Sequence, residues 1–234
     1  SDGRSSTLLF AELAELYAAQ VEGRAPRLPP LSGGFLDHAR RIAEHGSADD
    51  AAELAPWLKR FSALPPAPRL PWDRPRPSAL SGQTSSVRQV LPQALSSALR
   101  SRAGEAGTTL FVLLLQALHG LLQRLSGQPD LTIGVPVLGR HDSAQENLIG
   151  PFANVLPVRI RGTGEGPVTL QQVHQQFFDA MALPSVELDA LNRALHGSRP
   201  AVDARLIHAL ISFQDVRSTG QTRRRFRARR NRRP

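Results

Sequence analysis

The 234-residue chain contains no cysteine, which excludes a disulfide framework, a thiolate nucleophile and any cysteine-ligated metal. Lysine is almost as scarce. Of 29 basic residues only Lys59 is lysine, a bias that GC-rich coding explains without any demand for guanidinium chemistry. The first residues, SDGRSS, have neither a basic leader nor an apolar stretch, so no secretory signal is read there, and the start reads as cut rather than natural. With the absent cysteine this fits a cytoplasmic location. Also missing are a Walker phosphate loop, a GxGxxG after a strand, HExxH and GxSxG, so nucleotide, zinc-protease and serine-hydrolase readings lose their best evidence. Seven histidines are scattered singly, with no pair at metal-ligand spacing.

What is present is enough apolar residue, 41%, to fill a core. The net charge of +9 suggests a polyanionic partner, but Arg223, Arg224, Arg225, Arg227, Arg229, Arg230, Arg232 and Arg233 carry eight of those charges. The rest of the chain is left near neutrality. Any electrostatic case for nucleic acid therefore rests on the last dozen residues.

Apolar positions Leu9, Leu13, Leu16 and Tyr17 recur at helical spacing, with Ser5 or Ser6 placed to cap and Gly23 to stop. FLDHARRIAEHG and DDAAELAPWLKRFSAL read as two further helices. Six prolines between 65 and 77 then remove amide donors and block helix, so PPAPRLPWDRPRP is expected to be an extended crossover between two lobes. Beyond it QTSSVRQV reads as a strand, and Leu91, Leu95 and Leu99 mark a helix. TTLFVLLLQALHGLLQRLSG is an apolar helix that Thr108 can cap; Gln116, His119 and Gln123 interrupt it, favouring a buried core helix over a membrane span. DLTIGVPV and FANVLPVRI are β-rich runs, VTLQQVHQQFFDAMAL and VELDALNRALHG are helical, and ARLIHALISFQ closes as a β-rich run.

Several of these segments, in order, resemble the condensation domain of nonribosomal peptide synthetases, whose active-site signature is HHxxxDGxS. Ser1 to Ser5 match its end, xDGxS; FLDHARR is similar to a Y-x-D-x-A motif with Phe35 in place of Tyr; LPWDRPRP resembles an LPxDRPRP crossover. SGQPDLTIGVPVLGR followed by LIGPFANVLPVRI resembles the segment that carries IGxFxN, and ISFQDV falls where the family has an F-Q strand. Two departures stand out: ALPSVELDAL replaces an HQDxPF-like motif, and QTRRRFRARRNRRP stands where a closing segment belongs.

The resemblance implies a mixed α/β, two-lobed CoA-dependent acyltransferase-like fold, incomplete at both ends. Residues 1–77 would close the first lobe and supply the crossover, 78–222 would form the second lobe, and 223–234 a disordered Arg-rich tail. It implies amide formation between a carrier-bound acyl thioester and an aminoacyl amine, with no bound cofactor or metal. Substrates would arrive on the phosphopantetheine arms of carrier-protein domains, the expected partners along with adjacent synthetase modules; a membrane partner is not expected. By resemblance Asp2 is the signature aspartate, expected to pair with an arginine, and Gly3 a backbone position near the reaction centre. Asn154, Ser212 and Gln214 would line the substrate tunnel. The family's second histidine lies ahead of Ser1, so the chain as given is expected to be inactive alone. Two other readings compete: a catalytically dead carrier-binding module, and nucleic-acid binding through the tail.

Deleting residues 223–234 is expected to abolish retention on heparin at moderate salt and to leave the far-ultraviolet circular dichroism unchanged, because the charge left behind is near zero.

Overall fold

In the computed structural model the described residues are 2–31, 33–45, 49–64, 68–71, 82–140, 143–162, 166–196, 206–207 and 209–214. The crossover beyond Pro71 and the arginine tail lie outside them. Helices α1 (Gly3–Glu22), α2 (Phe35–His45) and α3 (Asp49–Arg60) come first, followed by α4 (Gln93–Glu105) and α5 (Leu110–Ser126). Strands β1 (Asp130–Val137) and β2 (Asn154–Arg161) then precede α6 (Leu170–Met181), α7 (Leu188–His196) and the short β3 (Ala209–Leu210).

The core forms around α5. Thr109, not Thr108, begins this helix by accepting from the Val112 N–H at 3.2 Å, while the Thr108 hydroxyl lies 2.8 Å from His174 Nδ1. Gly127, at φ 71°, ends it by donating to the Gln123 carbonyl at 2.8 Å, a left-handed closure that glycine adopts without strain. Val112, Leu115 and His119 form its fully buried side. Each of the two aliphatic side chains contributes roughly 1.5–3 kcal/mol through burial.

The sheet order is β2-β1-β3, with β1 antiparallel to β2 from Asp130↔Arg161 to Val137↔Asn154 and parallel to β3 through Ile133↔Ala209 and Gly134↔Leu210. Burial is continuous from Leu131 to Val135 and from Pro157 to Ile160, so both faces of the sheet are covered. Helices α5 and α6 lie against one another and against β1 and β2; α7 lies on β2 and touches α3. Thr169 and Gln172 form a reciprocal capping box that starts α6. Trp57 of α3 and Phe61 just beyond its end share one buried cluster with Val112, Ile133, Val158 and Leu191, so the core includes residues from both sides of the expected crossover. At the far end of the sheet Arg159 donates to both Asp130 carboxylate oxygens and to the carbonyls of Arg60 and Ala63, tying the end of α3 to β1.

Several sequence expectations are corrected. Helix α1 is capped by Asp2 rather than by Ser5 or Ser6, because the Asp2 carboxylate accepts the Ser5 N–H at 2.8 Å. Its apolar stripe, Leu9, Leu13, Leu16 and Tyr17, is exposed, since no described element lies on it. The run 83–90 is not a strand: Val87 and Val90 are 96% and 83% exposed, and a strand without a ladder partner does not hold. Among its described residues, the β-rich close at 204–214 yields only the two residues of β3. As for membranes, no single described helix is long and apolar enough to cross one.

Burial holds the His119 imidazole below its usual value of 6.5, against the opposing hydrogen bonds to the Pro129 and Ile160 carbonyls. The unfolded chain therefore takes up this proton first as pH falls. The stability that depends on neutral His119 is complete above the ordinary value and is lost below it. The melting temperature should fall between about pH 7.5 and 5.5, and His119→Gln should flatten that slope while lowering stability throughout.

Candidate active site

The signature-like Asp2 and the segment after β1 meet in space. Asp2 sits at the amino end of α1, where the orphan amides of the first turn favour a carboxylate. Arg140 reaches it from the end of β1: its Nη2 lies 3.2 Å from each Asp2 oxygen, and the two side chains are only 4% and 3% exposed. This is the arginine that the sequence called for without naming. Its Nη1 donates to the carbonyls of Gln145 and Leu148, and its guanidinium lies 4.2 Å from the centre of the Phe152 ring. Asp2 also accepts the Phe152 N–H at 3.2 Å. Burial works against the charge on Asp2, but the Ser5 amide and the Arg140 guanidinium together hold its carboxyl below the ordinary value of 3.8.

Two glycines make this approach possible. Gly139 has φ 59°, and a Cβ there would lie 1.9 Å from the Phe152 carbonyl oxygen, so the turn that delivers Arg140 admits no side chain. At Gly150 a Cβ would meet the Phe35 ring at 2.2 Å. Phe35 stands edge-on to Phe152 at 5.3 Å, His38 lies 4.8 Å from the same ring, and Gln145 Nε2 is 3.2 Å from His38 Nδ1. Thus FLDHARR and IGPFAN, far apart in sequence, form one aromatic corner beside the Asp2–Arg140 pair.

The remaining expected residues are placed as follows. Gly3 opens α1 with nothing within 4 Å of a would-be Cβ. Asn154 begins β2, and both ends of its amide are engaged: Nδ2 donates to the Val186 carbonyl at 2.7 Å and Oδ1 accepts the Val155 N–H at 2.8 Å. It ties the strand to the segment that stands in place of the HQDxPF-like motif. Ser212 and Gln214 are exposed on the chain leaving β3, which runs parallel to β1 and so heads toward the same end of the sheet as Val137, Asn154 and Arg140. Asp2 and Asn154 are joined to one loop, 149–154; Ser212 and Gln214 share the sheet end without a recorded contact to it. Among the described residues no group of three or more histidine, aspartate or glutamate side chains stands together as a metal site. Sequence reasoning named Ser5 as a cap candidate and as part of the xDGxS match but gave it no partner; it is 1% exposed and hydrogen-bonded to Gly150.

Comparison with known proteins agrees with these motifs. Residues 1–231 match the family described as the condensation domain. A nonribosomal peptide synthetase of Salinispora arenicola is 34% identical over 225 residues, covering 92% of this chain and 3% of the relative. Phosphinothricin tripeptide synthetase PhsB of Streptomyces viridochromogenes is 36% identical over 218 residues, covering 92% of this chain and 18% of the relative. The crystal structure of the first condensation domain of the CDA synthetase superposes with a TM-score of 0.66 at 26% identity, over 92% of this chain and 47% of that one. The chain thus spans less than half of that structure and a small part of each synthetase. The mixed α/β, acyltransferase-like fold class holds, and neither the dead binding module nor the nucleic-acid reading is favoured by these matches.

Replacing Arg140 by Leu should cost about 3–5 kcal/mol in urea unfolding, because the buried Asp2 charge is left alone. Arg140→Lys should recover only part of this, since one ammonium cannot serve Asp2 and two carbonyls from a planar fork. The contribution of the pair is present above the ordinary aspartate value and disappears as pH falls through the lowered folded value.

Proposed function

The chain belongs to the condensation-domain family of nonribosomal peptide synthetases, and from that premise we propose that it forms part of a domain joining a carrier-bound acyl or peptidyl thioester to a carrier-bound aminoacyl amine. In that reaction the amine nitrogen attacks the thioester carbonyl. The carbon–nitrogen bond forms, the carbon–sulfur bond breaks, and the donor arm leaves as a thiol with the proton that the nitrogen gives up. The chemistry needs two long arms brought end to end with the amine deprotonated, so positioning and hydrogen bonding at the meeting point carry much of the rate.

The observation that carries this reading is the Asp2–Arg140 ion pair, which fixes the DG end of the signature against the loop of the IGxFxN motif. Asp2 is spoken for by Arg140, Ser5 and Phe152, so its role is to hold the signature loop and not to take a proton from substrate. Gly3, with open space around it, is the backbone position facing the reaction centre. Asn154 shapes the tunnel wall through its tie to Val186, and Ser212 and Gln214 line the tunnel from the same end of the sheet. The partners are phosphopantetheine-bearing carrier domains and neighbouring synthetase modules in the cytoplasm. Residues 1–77 belong to the first lobe and crossover, 78–222 to the second, and the domain binds no dissociable cofactor.

The test uses a domain in which HHxx precedes Ser1, completing the HHxxxDGxS signature, assayed with loaded donor and acceptor carrier proteins. Asp2→Ala and Asp2→Asn should lose amide formation and melting temperature together, the alanine variant by several kcal/mol. An inactive variant melting at the wild-type temperature would make Asp2 a direct participant in the chemistry.

A further inference from the structure

Ser5 is almost wholly buried, at 1% exposure, yet none of its side-chain partners is near it in sequence. Its hydroxyl donates to the Gly150 carbonyl at 2.8 Å, accepts the Gly150 N–H at 3.0 Å and accepts from Arg140 Nη2 at 3.1 Å. A hydroxyl has one proton to give and two lone pairs to fill, so its capacity is complete. Both polar groups of the Gly150 backbone are held by this single oxygen. Two residues further on, the Phe152 N–H binds Asp2. The first turn of α1 therefore grips 150–152 through two rungs, and Arg140 binds both Asp2 and Ser5 from one nitrogen.

Among the described residues little else fastens this helix. Of its 20 residues only Ser5 and Ala19 are buried, and its apolar stripe is exposed. The registration of the signature segment on the loop 149–153 thus depends on directional bonds at residues 2 and 5, not on packing along the helix. Gly150 cannot shift toward α2 to compensate, because Phe35 stands against it.

We propose that Ser5 is a positioning residue for condensation, its hydroxyl setting the Asp2 carboxylate and the loop 149–153 in register so that the signature segment faces the meeting point of the two substrate arms. The proposal rests on the condensation reading above. A hydroxyl in this role acts through Asp2 and Gly150 and touches no substrate. Its loss lets the loop relax while leaving the apolar core, which it does not join, intact.

Two arms test this. On the present chain, carboxyl carbon NMR follows the titration of Asp2 and amide exchange follows Gly150 in wild type, Ser5→Ala and Ser5→Cys, the last preserving volume. The expected result is a native circular dichroism spectrum, an Asp2 titration moved upward and faster exchange at Gly150. In the domain carrying HHxxx, the same variants should lower kcat roughly tenfold to a hundredfold with KM for the acceptor carrier within about twofold, and Ser5→Thr, which keeps the hydroxyl, should restore much of the loss. Variants that melt earlier while the Asp2 titration and kcat stay at wild-type values would overturn the proposal, reducing Ser5 to a structural residue. A wild-type domain that makes no amide would sink the condensation reading instead, and the NMR arm would still decide whether Ser5 sets Asp2 and Gly150.

Discussion

Burying a carboxylate is costly unless a cation and enough donors accompany it, and the arrangement around Asp2 is largely the answer to that requirement. The aspartate first satisfies the open end of α1, then takes Arg140, and the remaining capacity goes to Phe152. Each donor comes from a different part of the chain, so satisfying one charge brings together α1, the end of β1 and the loop entering β2. Removing the cation would do more than delete one contact: it would leave the carboxylate stranded and release the carbonyls of Gln145 and Leu148 as well.

A second buried arginine stands at the other end of β1. Arg159 faces Asp130 and holds the last carbonyl of α3 and that of Ala63 just beyond it, where a cation also suits the negative end of the helix. The central strand is therefore pinned by a guanidinium at each end, one serving the site and one serving α3. Arg–carboxylate pairs of this kind specify a single geometry more than they add stability, because desolvation consumes much of the attraction. The aliphatic and aromatic cluster of Trp57, Leu115, Ile133, Val158 and Leu191 supplies the driving force, and the two arginines fix which way the pieces meet.

Much of this was legible in sequence because the physical cause was local. The strand DLTIGVPV is β1 residue for residue, Gly23 ends α1 in the left-handed conformation, and the apolar face of α5 gave its burial away. Motif order led to the family. What escaped was decided at a distance. Val87 and Val90 carry strand propensity but find no neighbouring strand, so the run stays irregular. The start of α1 was misjudged because Ser5 and Asp2 are both good caps, and the choice was made by Gly150 and Arg140, more than a hundred residues away. Asn154 was picked out by its motif, but its amide bond to Val186 joins it to a partner that no spacing rule could have named.

The separation of 138 residues between Asp2 and Arg140 also orders events in time. A ribosome adding about 5–20 residues per second emits Asp2 on the order of ten seconds before Arg140. Through that interval α1 can coil, since its cap to Ser5 is local, but its first turn has nothing to seat against. The nascent chain keeps this carboxylate in water until the turn at Gly139 has been made. Docking of the signature segment is thus a late step in synthesis, completed only after β1 is out and Arg140 has turned back to meet it.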